Sequence, residues 1–161
     1  MRRITRERDR ANRITEFMTN MFKVSDPSES RGNSVTAREI LDKASKDIDT
    51  GLAKDPELQA QMMNVMGTVY DALGLFPRAQ SLLTRAVEIR RGVLGPNHPD
   101  TLKSMSNLGW VLQHEGHYTE AEKLQRETLV SERRVLAPDD PETLSLNQHL
   151  VWTLVARGEA R

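Results

Sequence analysis

Met66-Gly67-Thr68-Val69-Tyr70-Asp71-Ala72-Leu73-Gly74-Leu75-Phe76-Pro77-Arg78-Ala79 returns 42 residues later as Leu108-Gly109-Trp110-Val111-Leu112-Gln113-His114-Glu115-Gly116-His117-Tyr118-Thr119-Glu120-Ala121. Glycine, glycine, a large aromatic and alanine keep their places in both copies. Gly158 and the pair Pro96 and Pro138 hold the same period. A fixed period of this size marks a stacked array of helix pairs, because one pair cannot bury its apolar face alone and its neighbours must cover it. The predicted fold is therefore all-α, an α-solenoid of antiparallel helix pairs. Arrays of this kind present binding surfaces more often than catalytic pockets.

Working outward, Asp55-Pro56-Glu57, His98-Pro99-Asp100 and Asp140-Pro141-Glu142 predict three helix starts. Each puts a capping side chain before a proline whose missing N–H costs nothing in the first turn, with an acid near the positive dipole end. The helices that follow carry Met62, Val65, Met66, Val69 and Leu73; Met105, Leu108, Val111 and Leu112; and Leu144, Leu150, Val151, Leu154 and Val155. Gly74, Gly116 and Gly158 suit left-handed stops at their ends. Second helices are predicted from Pro77 and from a capping box at Thr119-Glu120-Ala121-Glu122. They are expected to bury Ala79, Leu82, Leu83, Ala86, Val87, Val93 and Leu94, then Ala121, Leu124, Leu129, Val135 and Leu136. In front, Thr36-Ala37-Arg38-Glu39 is a capping box opening a helix to about Leu52, and apolar spacing from Ile4 to Phe22 predicts an amphipathic helix closed by the Ser25–Asn33 loop. No segment alternates as a strand would.

These limits give a basic N-terminal helix over 1–24, the helix of a degenerate first repeat over 34–54, repeats over 55–97 and 98–139, and a half repeat over 140–161. With 23 Lys plus Arg against 23 Asp plus Glu, no overall charge recruits nucleic acid or an anionic membrane. Cysteine is absent, which excludes disulfides, thiolate zinc sites and a cysteine nucleophile. No apolar run has the length of a signal peptide core or a membrane span, so a cytoplasmic chain is expected.

Met66-Gly67, Tyr70, Gly74, Phe76, Ala79, Leu83 and Ala86, with Leu108-Gly109, Leu112, Gly116, Tyr118 and Ala121, resemble the packing residues of tetratricopeptide repeats. Leu94-Gly95-Pro96-Asn97-His98-Pro99-Asp100 and the 42-residue period resemble the longer, kinesin-light-chain-type variety. The front, with Val24-Ser25-Asp26-Pro27-Ser28 and Ala53-Lys54-Asp55-Pro56-Glu57, resembles the stretch before the repeats in bacterial serine/threonine kinases with tetratricopeptide tails. No kinase motif occurs, so this implies kinship of the tail alone, with an extracytoplasmic location if it is one.

In that family the first helix of each pair lines a concave groove, which implies that Gln61, Asn64, Thr68, Lys103, Ser106, Asn107, Trp110, Gln113, Gln148 and Trp152 face a protein or peptide partner. Trp110 and Trp152 are 42 apart and about 200° round the helix from Leu108 and Leu150. They serve either as anchors in the groove or as packing against the next helix. The neutral amides suit a peptide backbone, or form an ordinary solvated face. Lys103 and Asn107 resemble part of the carboxylate clamp of chaperone-binding members, while Gln61, Asn64, Ser145 and Gln148 stand where further basic partners belong.

His114 and His117 lie three apart across a helix-ending glycine, which is not the zinc-protease spacing, and no nucleophile elbow or triad pattern is present. No catalytic, cofactor or metal residues are assigned, and the chain is read as a non-enzymatic interaction module. Arg2, Arg3, Arg6, Arg8, Arg10 and Arg13 crowd the start. That helix is read as self-associating, as docking on the first repeat, or as binding an anion. The alternative function is a self-associating regulatory tail, a homo-oligomer formed through this helix or through the last one, where Leu150, Val151, Leu154 and Val155 lack a cover.

Overall fold

The computed structural model describes residues 36–137 and 140–159, with residues 9, 12–16 and 19 ahead of them. Those few front residues are helical; the remainder of the predicted N-terminal helix and the Ser25–Asn33 loop lie outside the described residues. The chain divides into two compact units, 1–58 and 59–161.

In the first unit, helix α1 spans Ala37–Gly51. Its capping box forms as the sequence predicts: Glu39 N–H donates to Thr36 Oγ1 at 3.3 Å, and Thr36 N–H donates to Glu39 Oε2 at 2.8 Å. Ala44 and Ile48, four residues apart on one face, are buried. Arg13 pairs with Asp55 at 2.7 Å, and Asp55 Oδ1 in turn accepts from Leu58 N–H at 3.1 Å, capping the next helix.

That helix, α2 (Pro56–Ala72), runs on into the second unit and is followed by α3 (Phe76–Val93), α4 (Pro99–His114), α5 (Tyr118–Val135) and α6 (Pro141–Glu159). The described residues are helix and turn, with no strand. Side chains cap α4 and α6 as they cap α2: His98 Nδ1 accepts from Asp100 N–H at 3.2 Å and Asp140 Oδ1 from Glu142 N–H at 2.9 Å. Gly74 and Gly116 stand at φ 71° and 81°, where a Cβ would be strained. Around each, two bonds close the same reverse turn, Gly74 N–H to Asp71 O with Leu75 N–H to Tyr70 O, and Gly116 N–H to Gln113 O with His117 N–H to Leu112 O.

Three expectations are corrected. Gly158 does not stop its helix: α6 runs through it to Glu159. Glycine permits a left-handed turn without imposing one, and among the described residues no paired reverse bonds close a turn there. The capping box at Thr119 is not formed, because the turn at Gly116 starts α5 at Tyr118, with His117 at the cap position and no side-chain cap. Glu122 instead accepts from Arg126 at 2.8 Å and pairs with Arg157, which lowers its carboxyl from the ordinary range. Val93 and Val135, read as buried, lie in the last turns of α3 and α5 and are exposed, while Leu94, Leu124 and Leu136 are half-buried.

Consecutive helices pack on one another along α3, α4, α5 and α6, and α4 also touches α6. The core includes Met63, Met66 and Tyr70 of α2, Ala79, Leu83 and Ala86 of α3, Leu102, Met105 and Val111 of α4, Ala121 of α5, and a cluster of Leu129, Leu146 and Leu150 joining α5 to α6. Close approach explains two glycines: a Cβ on Gly67 would lie 2.6 Å from Leu83 Cγ, and one on Gly109 3.1 Å from Gln125 Cγ. Leu83 and Gln125 are themselves one period apart. Among the described residues, no helix is long and apolar enough to cross a membrane.

Candidate functional site

Lys103, Ser106, Asn107 and Trp110 form an i, i+3, i+4, i+7 stripe on α4, and Glu142, Ser145, Leu146 and His149 form the same stripe on α6. The two stripes, with Pro141, line a cavity of about 410 Å³. Its position follows from the period, for α4 and α6 are both first helices of their layers and leave a gap where no second helix intervenes.

Trp110 is held at one end between two imidazoles. Its ring centroid lies 4.5 Å from that of His114, edge-on, and 4.1 Å from that of His149. Phe76 reaches His114 at 5.4 Å, and His114 Nδ1 lies 2.8 Å from Asp71 Oδ1, so the wall behind the indole is fixed from two earlier helices. Burial lowers the His149 pKa, and the neighbouring His114 lowers it further, which favours the neutral ring against Trp110.

A polar chain holds the middle of the stripe. Arg90 Nη1 donates to Ser104 Oγ at 2.7 Å, Ser104 Oγ donates to Asn64 Oδ1 at 3.0 Å, and Asn107 Nδ2 donates to the same oxygen at 3.2 Å. Asn64 thus fixes the orientation of the Asn107 amide at the cavity. Ser106 Oγ donates to Glu132 Oε1 of α5 at 3.4 Å. Glu132 is 1% exposed, and its Oε2 has no hydrogen-bond partner among the described residues. Burial pushes its carboxyl up to about 7, with Glu142 and Asp140 adding to the rise and the Ser106 bond opposing it.

Of the ten residues that sequence places on the groove, the structure gathers Lys103, Ser106, Asn107 and Trp110 at the cavity, with Asn64 bonded behind them. Gln61 is half-buried, while Thr68, Gln148 and Trp152 are exposed and do not line it. Thr68 Oγ1 donates to Val65 O at 2.7 Å. Gln113 is 3% exposed and lies in the interior, its Oε1 accepting from Thr153 Oγ1 at 3.0 Å and from Gln125 Nε2 at 3.4 Å. Sequence reasoning missed His149, Glu142 and Glu132. Each carried a signal in the period, since His149 stands 42 after Asn107, Glu142 42 after Asp100, and Glu132 42 after Arg90. His114 and His117 turn to different partners, Asp71 and, at 3.6 Å, Glu115.

Comparison with known proteins bears on the same helices. A tetratricopeptide-repeat family model matches residues 58–129. No curated protein matches the chain in sequence. Among solved structures, the chain is similar to the nearly identical TPR-like repeats of a Podosopora anserina protein described as a kinesin light chain, at 18% identity and TM-score 0.60 over 98% of this chain and 85% of that one. A point-substituted form of that protein matches at 18% identity and TM-score 0.61, over 98% and 84% of the two chains. At this identity the likeness is one of fold.

Proposed function

We propose, from the match of a tetratricopeptide-repeat family model to residues 58–129 and from the protein–protein interaction that such repeats generally serve, that this chain binds a peptide segment of a partner in the groove between α4 and α6. The observation that carries the proposal is the cavity itself: an indole held rigid by two imidazoles, beside amide, hydroxyl and charged groups that converge from two helices. A rigid aromatic anchor with a few oriented polar groups is the usual chemistry of peptide capture. Its test is a random dodecapeptide library displayed on phage and panned against the chain, the Trp110→Ala variant and the Trp152→Ala variant. Far-UV circular dichroism of both variants is expected to match the parent, and Trp110→Ala to lose the selected peptides. Trp152 stands outside the cavity, so Trp152→Ala retains most of the binding in this reading. Peptides that bind the Trp110→Ala variant undiminished would sink the proposal.

A self-associating regulatory tail is the second reading. The observation favouring it is the outer face of α6, where Val151, Trp152 and Val155 are 62%, 58% and 55% exposed. Contiguous exposed apolar surface tends to find a partner. The mass of the chain in solution tests it.

A further inference from the structure

The period sets Glu132 where the preceding layer has Arg90, so two equivalent junctions can be compared. At the first, the buried Arg90 guanidinium donates to the Asp100 carbonyl and to Ser104 Oγ, both at 2.7 Å, and so ties α3 to the start of α4. At the second, the first turn of α6 brings Asp140 and Glu142, and the residue facing it is another carboxylate. One Glu132 oxygen accepts a long 3.4 Å bond from Ser106 Oγ, and the other accepts none among the described residues. A cation fills this place in one layer, and an incompletely satisfied acid in the next.

Glu132 does not itself line the cavity; it stands behind Ser106, which does. Ser106 is also the only tether on Glu132 Oε1 among the described residues. Lys103 and Glu142 in the lining carry opposite charges, and Asp140 and the ionised form of Glu132 add negative charge near them. Trp110 lines the same cavity, and an aromatic ring attracts cations.

We infer that the cavity receives a basic side chain of the partner, a guanidinium by preference, which enters beside Ser106 and is held between Glu132 and Glu142. The inference rests on the reading of the groove as a peptide site and names what the peptide brings to it. A guanidinium suits the corner better than an ammonium because its planar fork serves two carboxylates at once and is more weakly hydrated. It also makes a shorter, stronger bond to Glu132 than the Ser106 hydroxyl does, and so displaces that hydroxyl.

Proton linkage follows. Glu132 titrates at about 7, with burial the main cause, and an incoming cation favours the ionised form, so binding expels a proton and strengthens as pH rises. The charged and titratable groups at this corner on the elements packed against α5 are Lys103 on α4, Asp140 at the cap of α6, and Glu142 and His149 on α6.

The test begins from phage-displayed dodecapeptides whose binding to the intact chain is lost on Trp110→Ala. These are expected to contain an Arg or Lys whose replacement by Gln weakens binding about tenfold or more, as does Glu132→Gln in the protein. Binding to the unmodified chain is expected to strengthen about tenfold from pH 6 to pH 8, and the Glu132→Gln variant to lose that slope. Glu142→Gln, a change at an exposed first-turn residue, is expected to weaken binding as well, a second route should Glu132→Gln disturb the packing. Trp110-dependent peptides that lack a basic residue, or that ignore both substitutions, overturn the inference and leave the groove reading standing. Failure to recover any Trp110-dependent peptide overturns both.

Discussion

Glu132 shows how one residue's surroundings set its charge. Unfolded, a glutamate titrates near 4.3; in the fold, burial pushes Glu132 to about 7. Between those values the native chain holds a proton that the unfolded chain has lost, so this group's contribution to stability falls as pH rises from about 4.3 to about 7 and is level above. Glu132→Gln removes the effect. It is expected to raise stability at pH 8 by on the order of 2 kcal/mol and to change it little at pH 4, as read by urea unfolding at the two pH values. An equal effect at both would show that charge is not the cause. Trp110 depends on its neighbours in the same way: its anchoring comes from His114 and His149, which lie 4 and 39 positions along the chain.

Individual helices obey local chemistry closely. Asp55, His98 and Asp140 each cap a helix with the side chain that their place before a proline predicts, and Gly74 and Gly116 each end one through the same pair of reverse bonds. These features were legible because each depends on atoms within a few residues along the chain. Packing between elements asks more of a glycine than its turn chemistry does. Gly67→Ala places a methyl 2.6 Å from Leu83 Cγ, forcing α2 and α3 apart, and is expected to cost about 1–3 kcal/mol despite alanine's better helix propensity. Gly92 in α3 has nothing within 4 Å of a built Cβ, and Gly92→Ala is expected to stabilise by about 0.5 kcal/mol. Thermal unfolding of the two variants checks the contrast, and a Gly67→Ala midpoint at or above the parent's would contradict it. Thr119 is the counter-case, where a capping sequence was present and the turn before it had already started the helix.

For the whole molecule, the informative departure from the period is at its third layer. Val151 of α6 stands where α2 has Gly67 and α4 has Gly109, so α6 is not built for the close approach that α3 and α5 make to their partners. Its outer face exposes Val151, Trp152 and Val155. If that face joins two copies, sedimentation equilibrium gives a mass that rises with concentration, and the paired changes Val151→Lys and Val155→Lys return it to one chain. A concentration-independent monomer in the unmodified chain dismisses the self-association reading. The period, the helix starts, the glycine turns and most of the core were determined by sequence alone, because a repeated unit of this length buries its apolar face in essentially one way. Tertiary structure decided the site. Gln113 shares the helix of Trp110, yet Thr153 and Gln125 enclose it, 40 and 12 residues away. Glu132 meets its acidic neighbours only because α6 folds back across α5. Which polar residue is satisfied in the interior and which is left to a partner depends on side chains distant in sequence, whose meeting no local pattern encodes.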